Sequence, residues 1–594
     1  MKRWKVTFGL FLLLFALATT VACAETREEK VDLEGKRVIF AQPGETIHFT
    51  YDVPENYVVT KEEWLWYFAY TDGHGSFGSG SNDDEYGATH FESYTYEPTG
   101  IHVEWDGKGS ISLSANEMVR IQLRLNGYEY LYAYVLVADP AEYYTYEIQN
   151  GEATITGYNK DLLRRKVLIP EEIEGCPVTT IGDRAFYDMP SGIGKEFYIP
   201  DNVTTFGKEA FAGSAYLDAV RMPQKLTKMG EGVFAACLQM HFLEIPDSLT
   251  EIPDEAFVNC WGYGSARDYS VEQCIGKNVT KIGKSAFAGC WNMGKAWGDG
   301  RLPEKLESIG EGAFQYCYKI KSLEIPAGVT VIPDRAFQGC ERLESIQIDG
   351  DITMIGAEAF DGCVALTSMP LSKSLNLIGA DAFRDCTALT AFQLAEGNMH
   401  FQVQQGALMT ADATRLLTYA ASAPQQSFVM PETLTQIDDG ALKNLRYLET
   451  LTFSPIFSDY QAGMFENATG LKTVNFGEGT LTAIPDRFFK GCTSLVSPNA
   501  FTGVTSVGES AFEGCTAVQS LSFDDSLSNI GTKAFQNCTA LESVHIPDSV
   551  TSLSAAAFRN DVSLTEFQMP ERLYTVSASA FSGCTSLKTV TWSK

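Results

Sequence analysis

The sequence predicts a mostly β fold with short helical turns: a repeat solenoid preceded by a small antiparallel β-sandwich. Two observations carry this. A phenylalanine recurs at a fixed period of 23 residues, and a preceding segment without that period is dense in alternating strands. From Phe314 to Phe383 is 69 residues, three periods, and from Phe489 to Phe581 is 92, four periods. Self-similarity of this length marks a stack of small units, none of which could bury its apolar set alone.

Aligned on that aromatic, the units fall at Phe186, Phe211, Phe234, Phe257, Phe287, Phe314, Phe337, Phe360 and Phe383. They resume at Leu442, Phe465, Phe489, Phe512, Phe535, Phe558 and Phe581. About sixteen units of roughly 23 residues therefore span 145–594. One unit reads ALESVHIPDSVTSLSAAAFRND (540–561). The spacing Leu541-x-x-Val544-x-Ile546 points one face of a short strand into a core. Pro547 stops that strand. Val550 to Leu553 reads as a second short strand on another wall, and SAAAF as a brief helical turn with Ala and Phe inward. In VGESAFEGCTAVQSL (507–521), Gly508 is expected to let the chain turn, Phe512 to fill the core and Cys515 to line it.

The pattern I-P-x-x-V-T-x-I-G-x-x-A-F-x-G-C-x-x-L, as in IPAGVTVIPDRAFQGCERLESI (325–346), resembles the BspA-like leucine-rich repeat family. The opening segment YEIQNGEATITGY…IEGCPVTTIGDRAF (146–186) resembles that family's first repeat. FQVQQGALMTADATRLLTYA (401–420) resembles its hairpin insert, placed near 398–425, which accounts for the 59 residues between Phe383 and Leu442. The resemblance implies a leucine-rich-repeat solenoid on a secreted or cell-surface protein, many bacterial, implicated in adhesion to host or matrix proteins.

Residues 25–140 lack the period. RVIFAQ, TIHFTYDV, WLWYFAY, GIHVEW, SISLSA, VRIQLRL and YLYAYVLV alternate and are separated by turn-formers, which predicts the antiparallel β-sandwich. THFESYTYEPTGIHVEW (89–105) faintly resembles an immunoglobulin-like or polycystic-kidney-disease domain, without a cysteine pair to support the first. Ahead of it, MKRWKVTFGLFLLLFALATTVACAE has a basic start, an apolar run and a small-residue end, which predicts a signal peptide over 1–24. Two ends fit it: cleavage after Ala24, or a weak lipobox that would lipidate Cys23. Either places the protein outside the cell or on its surface, and no later stretch is apolar enough for a membrane span.

The formal charge of −30 disfavours nucleic acid and anionic membranes as partners. Eleven cysteines follow the motif phenylalanine by three residues, from Cys237 to Cys584. Disulfide staples suit a secreted chain, but eleven is odd, and stacked equivalents have parallel Cβ vectors where a disulfide needs a torsion near 90°. Other units carry Met189, Ser214, Leu445, Ala468 or Asp561 in that slot, which no nucleophile tolerates. Buried structural thiols are the expectation. GHGSFG (73–78) matches G-x-G-x-x-G but is followed by loop residues, so no cofactor is expected. Asp72 and Asp83, Asp84 and Glu85 read as a solvated loop before they read as a calcium site. No H-E-x-x-H or G-x-S-x-G occurs, and the chain is expected not to be an enzyme.

That leaves a protein or glycan ligand. The positions flanking the strand centre, such as Ser322, Ser345, Ser520, Gln347 and His545, are small and polar, which suits a spacer as well as a binding face. The rhythm breaks between Phe257, Phe287 and Phe314, spaced 30 and 27 residues. The extra residues bring in Trp261, Tyr263, Tyr269, Trp291 and Trp297. These are candidate contacts on loops, or a cover over the bulge that the insertions create. A recognition solenoid and a spacer displaying the β-sandwich both remain open at this point.

Overall fold

In a computed structural model the described residues are 139–163, 165–241, 243–262, 275–293, 300–477, 481–496 and 501–592, with the backbone of eight strands before them. The chain divides into two compact units, Met1–Val233 and Phe234–Lys594, taken separately below.

In the first unit, β1 (Thr26–Val31), β3 (Thr46–Tyr51), β5 (Ile101–Trp105) and β6 (Gly109–Leu113) form one four-stranded sheet. A second contains β2 (Arg37–Ala41), β8 (Tyr128–Val137), β7 (Met118–Leu125) and β4 (Glu62–Ala69), in that order. The pairing is mixed rather than purely antiparallel. β1–β3, β3–β5 and β2–β8 run parallel, whereas β5–β6, β4–β7 and β7–β8 run antiparallel. The cause is the order of connection: β1 passes to β2 in the other sheet before β3 returns beside it, and such a crossover brings a strand back in the same direction. The GHGSFG segment, the acidic residues at 72 and 83–85, Cys23 and the leader lie outside the described residues.

A four-residue helix, Pro140–Tyr143, capped by the Asp139 carboxylate on the Ala141 N–H, leads into the repeats. The hairpin Tyr144–Gln149/Glu152–Tyr158 follows, and Glu152–Tyr158 then pairs parallel with Cys176–Ile181. Each regular unit thereafter contributes two parallel strands. Ser322–Ile325 pairs with Ser345–Ile348 with Ser322 opposite Ser345, a register of one repeat. The second, two-residue strands form their own sheet, as Val331, Met354 and Leu377 do in neighbouring units. In the unit read from sequence, Leu541, Val544, Ile546, Val550 and Leu553 are buried while Ser543 and His545 are exposed.

The expected helical turn does not form. Around Phe512 the chain alternates hand: Ser510 has φ 54° and Gly514 φ 78°. Alternation turns the N–H groups away from an i−4 carbonyl and toward the next tier. Ser510, Phe512 and Gly514 donate to the carbonyls of Thr532, Ala534 and Gln536 at 2.9, 2.7 and 2.8 Å. The turn is thus a third inter-tier ladder, satisfying backbone groups that a single helical turn would leave unpaired.

The role expected for Gly508 is also corrected. It lies outside the left-handed region; instead a Cβ there would sit 2.5 Å from the Asp486 backbone nitrogen of the preceding tier. Asp486 is held there by its own bond, its Oδ1 accepting from the Glu509 N–H at 2.7 Å. Close stacking requires this glycine, and the left-handed turn falls to Ser510 and Gly514.

The insert is a three-stranded antiparallel meander, Phe401–Gln404, Ala407–Thr410 and Arg415–Tyr419. Its last strand rejoins the repeat by pairing parallel with Gln436–Ile437. Asn444 donates from Nδ2 to Asp385 Oδ1 at 2.8 Å, across 59 residues of chain. The tiers of Phe383 and Leu442 are therefore neighbours.

Candidate functional site

Inside the stack, equivalent phenylalanines lie face to face. Phe314–Phe337 and Phe337–Phe360 have centroids 5.5 Å apart and planes within 13°. The spacing follows from strand pairing at about 4.8 Å, which sets any equivalent side chains on adjacent tiers at stacking distance. The ladder cysteines obey the same geometry. From Cys260 onward each thiol donates to the carbonyl of the motif phenylalanine one tier back, at 2.9–3.3 Å. Those from Cys237 to Cys538 are buried and unbridged, Cys584 half-buried. Burial pushes the thiols of Cys260 and Cys340 up to about 12 and that of Cys515 well above its ordinary value. A thiol so held is neither nucleophile nor metal ligand at neutral pH.

The same repeat geometry acts on the outside. In most units the residue after the ladder cysteine leaves a tight bend closed by its own N–H onto the carbonyl two residues back: Trp291 to Gly289 at 2.9 Å, Tyr318 to Tyr316 at 3.0 Å, Glu341 to Gly339 at 2.9 Å. In three consecutive tiers this position holds Trp261, Trp291 and Tyr318. Trp261 and Trp291 stack at 4.6 Å with planes 7° apart, and Trp291 meets Tyr318 at 6.0 Å and 52°. Tyr316 joins Tyr318 at 6.2 Å. Its ring lies over Gly339, where a Cβ would collide with it. Asn292 ties the two indole tiers, donating from Nδ2 to the Trp261 carbonyl at 2.7 Å.

Trp261, Trp291 and Tyr316 are 39%, 41% and 42% exposed, so the column is a surface feature. The indoles spend their facing surfaces on each other. Neither indole N–H has a hydrogen-bond partner among the described residues. Rigid, partly exposed aromatic area is the composition of protein-interface anchors.

Of the five residues named from sequence, Trp261 and Trp291 come together, and Tyr263, Tyr269 and Trp297 lie outside the described residues. Tyr316 and Tyr318 escape a reading that follows only the loops where the rhythm breaks. The signal for the column was nonetheless present: Trp, Trp and Tyr directly follow the ladder cysteine in three successive units.

The profile of the BspA type leucine-rich repeat region, in six copies, matches residues 170–264, 267–390, 418–516 and 482–594. No curated protein matches the chain. Among solved structures, a leucine-rich cell surface protein from Faecalibacterium prausnitzii is 22% identical, covering 76% of this chain and 93% of its own, with a TM-score of 0.40. A leucine-rich repeat protein from Bacteroides ovatus is 23% identical over 75% and 92%, with a TM-score of 0.35. The pneumococcal vaccine antigen PcpA is 17% identical over 75% and 96%, with a TM-score of 0.29.

Proposed function

The chain belongs to the BspA-type leucine-rich repeat family, and on that premise we propose that it is a secreted or surface-tethered, non-enzymatic recognition protein that adheres to a protein or glycan partner through its solenoid. The observation that carries the reading is the column Trp261–Trp291–Tyr318, exposed at both indoles and half-buried at Tyr318. Three consecutive aromatic tiers concentrate binding area in one place, and rigid rings lose little entropy when a partner lands on them. The leader over 1–24 supports export, with Cys23 as the residue that would carry a lipid tether. No helix among the described residues is long and apolar enough to cross a membrane.

A second reading keeps the solenoid as a spacer and gives binding to the segment 25–140. The run of small residues at Ser322, Ser345, Ser520 and Ser543 on the paired strands favours it. The full chain and its Trp261→Ala/Trp291→Ala variant, probed against arrays of host-matrix proteins and glycans, separate the two. Binding that the double substitution abolishes supports the column. Binding that survives it transfers the role to the N-terminal segment, and a chain that binds nothing on either array sinks the adhesion reading.

A further inference from the structure

A recess lies well apart in sequence from the aromatic column, and its reading does not depend on that column. It is an open groove of about 390 Å³ beyond the insert, where the loops of three tiers enter the strands Ser427–Val429, Thr450–Thr452 and Thr473–Asn475. Its floor is Gly470. A Cβ at this position would run into the Arg446 carbonyl, so the middle tier carries no side chain where its neighbours carry Tyr447 and Ser494. The gap between those two side chains is the groove.

The charges in it are uneven. Lys472 is held by Glu449 at 2.8 Å. Arg446 also lines the groove, is exposed, and makes no ion pair among the described residues. On a chain of net charge −30 this leaves one uncompensated guanidinium beside a cavity. Tyr447 stands next to it, 57% exposed. Unlike the two indoles, its ring is stacked on no other among the described residues. The remaining wall is short, with the polar Gln426, Thr469 and Ser494 and the apolar Pro424.

We propose that this groove binds a carboxylate-bearing sugar residue, with Arg446 on the carboxylate, the Tyr447 ring against the apolar face of the sugar, and Gln426, Thr469 and Ser494 on its hydroxyls. A guanidinium presents a planar fork that matches a carboxylate. A single unpaired cation fits a ligand with one acid group better than a polyanion. The groove is large enough for one or two sugar rings. Apart from Tyr447 and Pro424 its lining side chains are polar or charged, which favours a saccharide over an acidic peptide.

The test is saturation-transfer NMR and calorimetry on the full chain with four probes: methyl α-N-acetylneuraminoside, methyl glucuronoside, neutral methyl glucoside and an acetylated diglutamate. At least one acidic sugar is expected to bind with a millimolar Kd, and the neutral glucoside at least about tenfold more weakly. Arg446→Gln is expected to weaken the acidic sugar about tenfold or more, and Tyr447→Ala about fivefold. Both side chains are exposed, so unchanged melting temperatures check that the variants fold. Equal binding of acidic and neutral sugars, indifference to Arg446→Gln, preference for the diglutamate, or no saturation transfer from either acidic sugar each overturns the proposal.

Discussion

The Cys515 thiol donates to the Phe489 carbonyl oxygen one tier back at 3.1 Å. Ser214, in the same slot of an earlier unit, does the same with its hydroxyl, donating to the Phe186 carbonyl at 2.8 Å. The slot therefore asks for a small side chain that fills space and donates one hydrogen bond. Cys515→Ser keeps the donor, whereas Cys515→Val keeps apolar bulk and loses it. Serine is expected to cost less than valine, which loses a buried bond worth about 1 kcal/mol and strains the site besides, as urea unfolding will measure.

Thiol accessibility follows from the same geometry. Burial holds Cys260, Cys340 and Cys515 as neutral thiols. The native protein is expected to resist iodoacetamide at Cys237 to Cys538 and to label fully in denaturant, read by intact mass. Rapid native labelling of Cys515 would contradict the packing assigned to it.

Asp561 is the misfit in the ladder. It is fully buried, its Oδ1 accepts the Cys538 N–H at 2.8 Å, and Oδ2 has no partner among the described residues. Burial pushes its carboxyl up to about 8. The folded state thus favours the protonated acid, while the unfolded chain ionises near 4. Stability is full below about pH 4 and is lost as pH rises toward about 8, at about 1.4 kcal/mol per unit of displacement before relaxation reduces it. Asp561→Cys is expected to leave stability nearly unchanged at pH 4 and to raise the melting temperature at pH 9. A wild-type melting curve that is flat from pH 4 to 8 would show the acid to be ordinary.

Gly508 and Gly514 separate two reasons for glycine. Gly508 is confined by the Asp486 backbone, whereas Gly514 has φ 78° and a Cβ there would meet nothing closer than 3.8 Å. Asn537 and Asn560 occupy the slot of Gly514 at φ 63°. Gly514→Asn is therefore expected to be nearly neutral, and Gly514→Ala to cost about 1 kcal/mol. Gly508→Ala is expected to cost roughly 1–3 kcal/mol, because the tiers must separate to admit it. Thermal melts of the three variants decide it.

The indole pair should be visible directly. Stacked at 4.6 Å, Trp261 and Trp291 are expected to couple in near-ultraviolet circular dichroism, and either single alanine variant to abolish that signal. The loss in stability is expected to be about 1 kcal/mol.

Much of this was legible in the chain because a 23-residue period forces equivalent residues into equivalent places. Phe512, Cys515, Val544 and Leu553 are buried where the alternation put them. The insert was legible as a gap in the count from Phe383 to Leu442. The groove was not: Gly470 and Tyr447 sit in units of ordinary length, and only Tyr447 departs from the small residues common two places after the ladder slot. The partial charge balance of Arg446, Lys472 and Glu449 depends on which of them meet across tiers.

The sequence by itself determined the repeat, its inward residues and the structural character of the cysteines, because periodicity translates directly into which side of a stack each residue faces. Only the tertiary structure decided the rest. A single unit's sequence does not say that its turn bonds to the next tier rather than to itself, that Gly508 answers to Asp486, or that Trp261 and Trp291 spend their faces on each other. Each of these is a relation between tiers, set by their close approach.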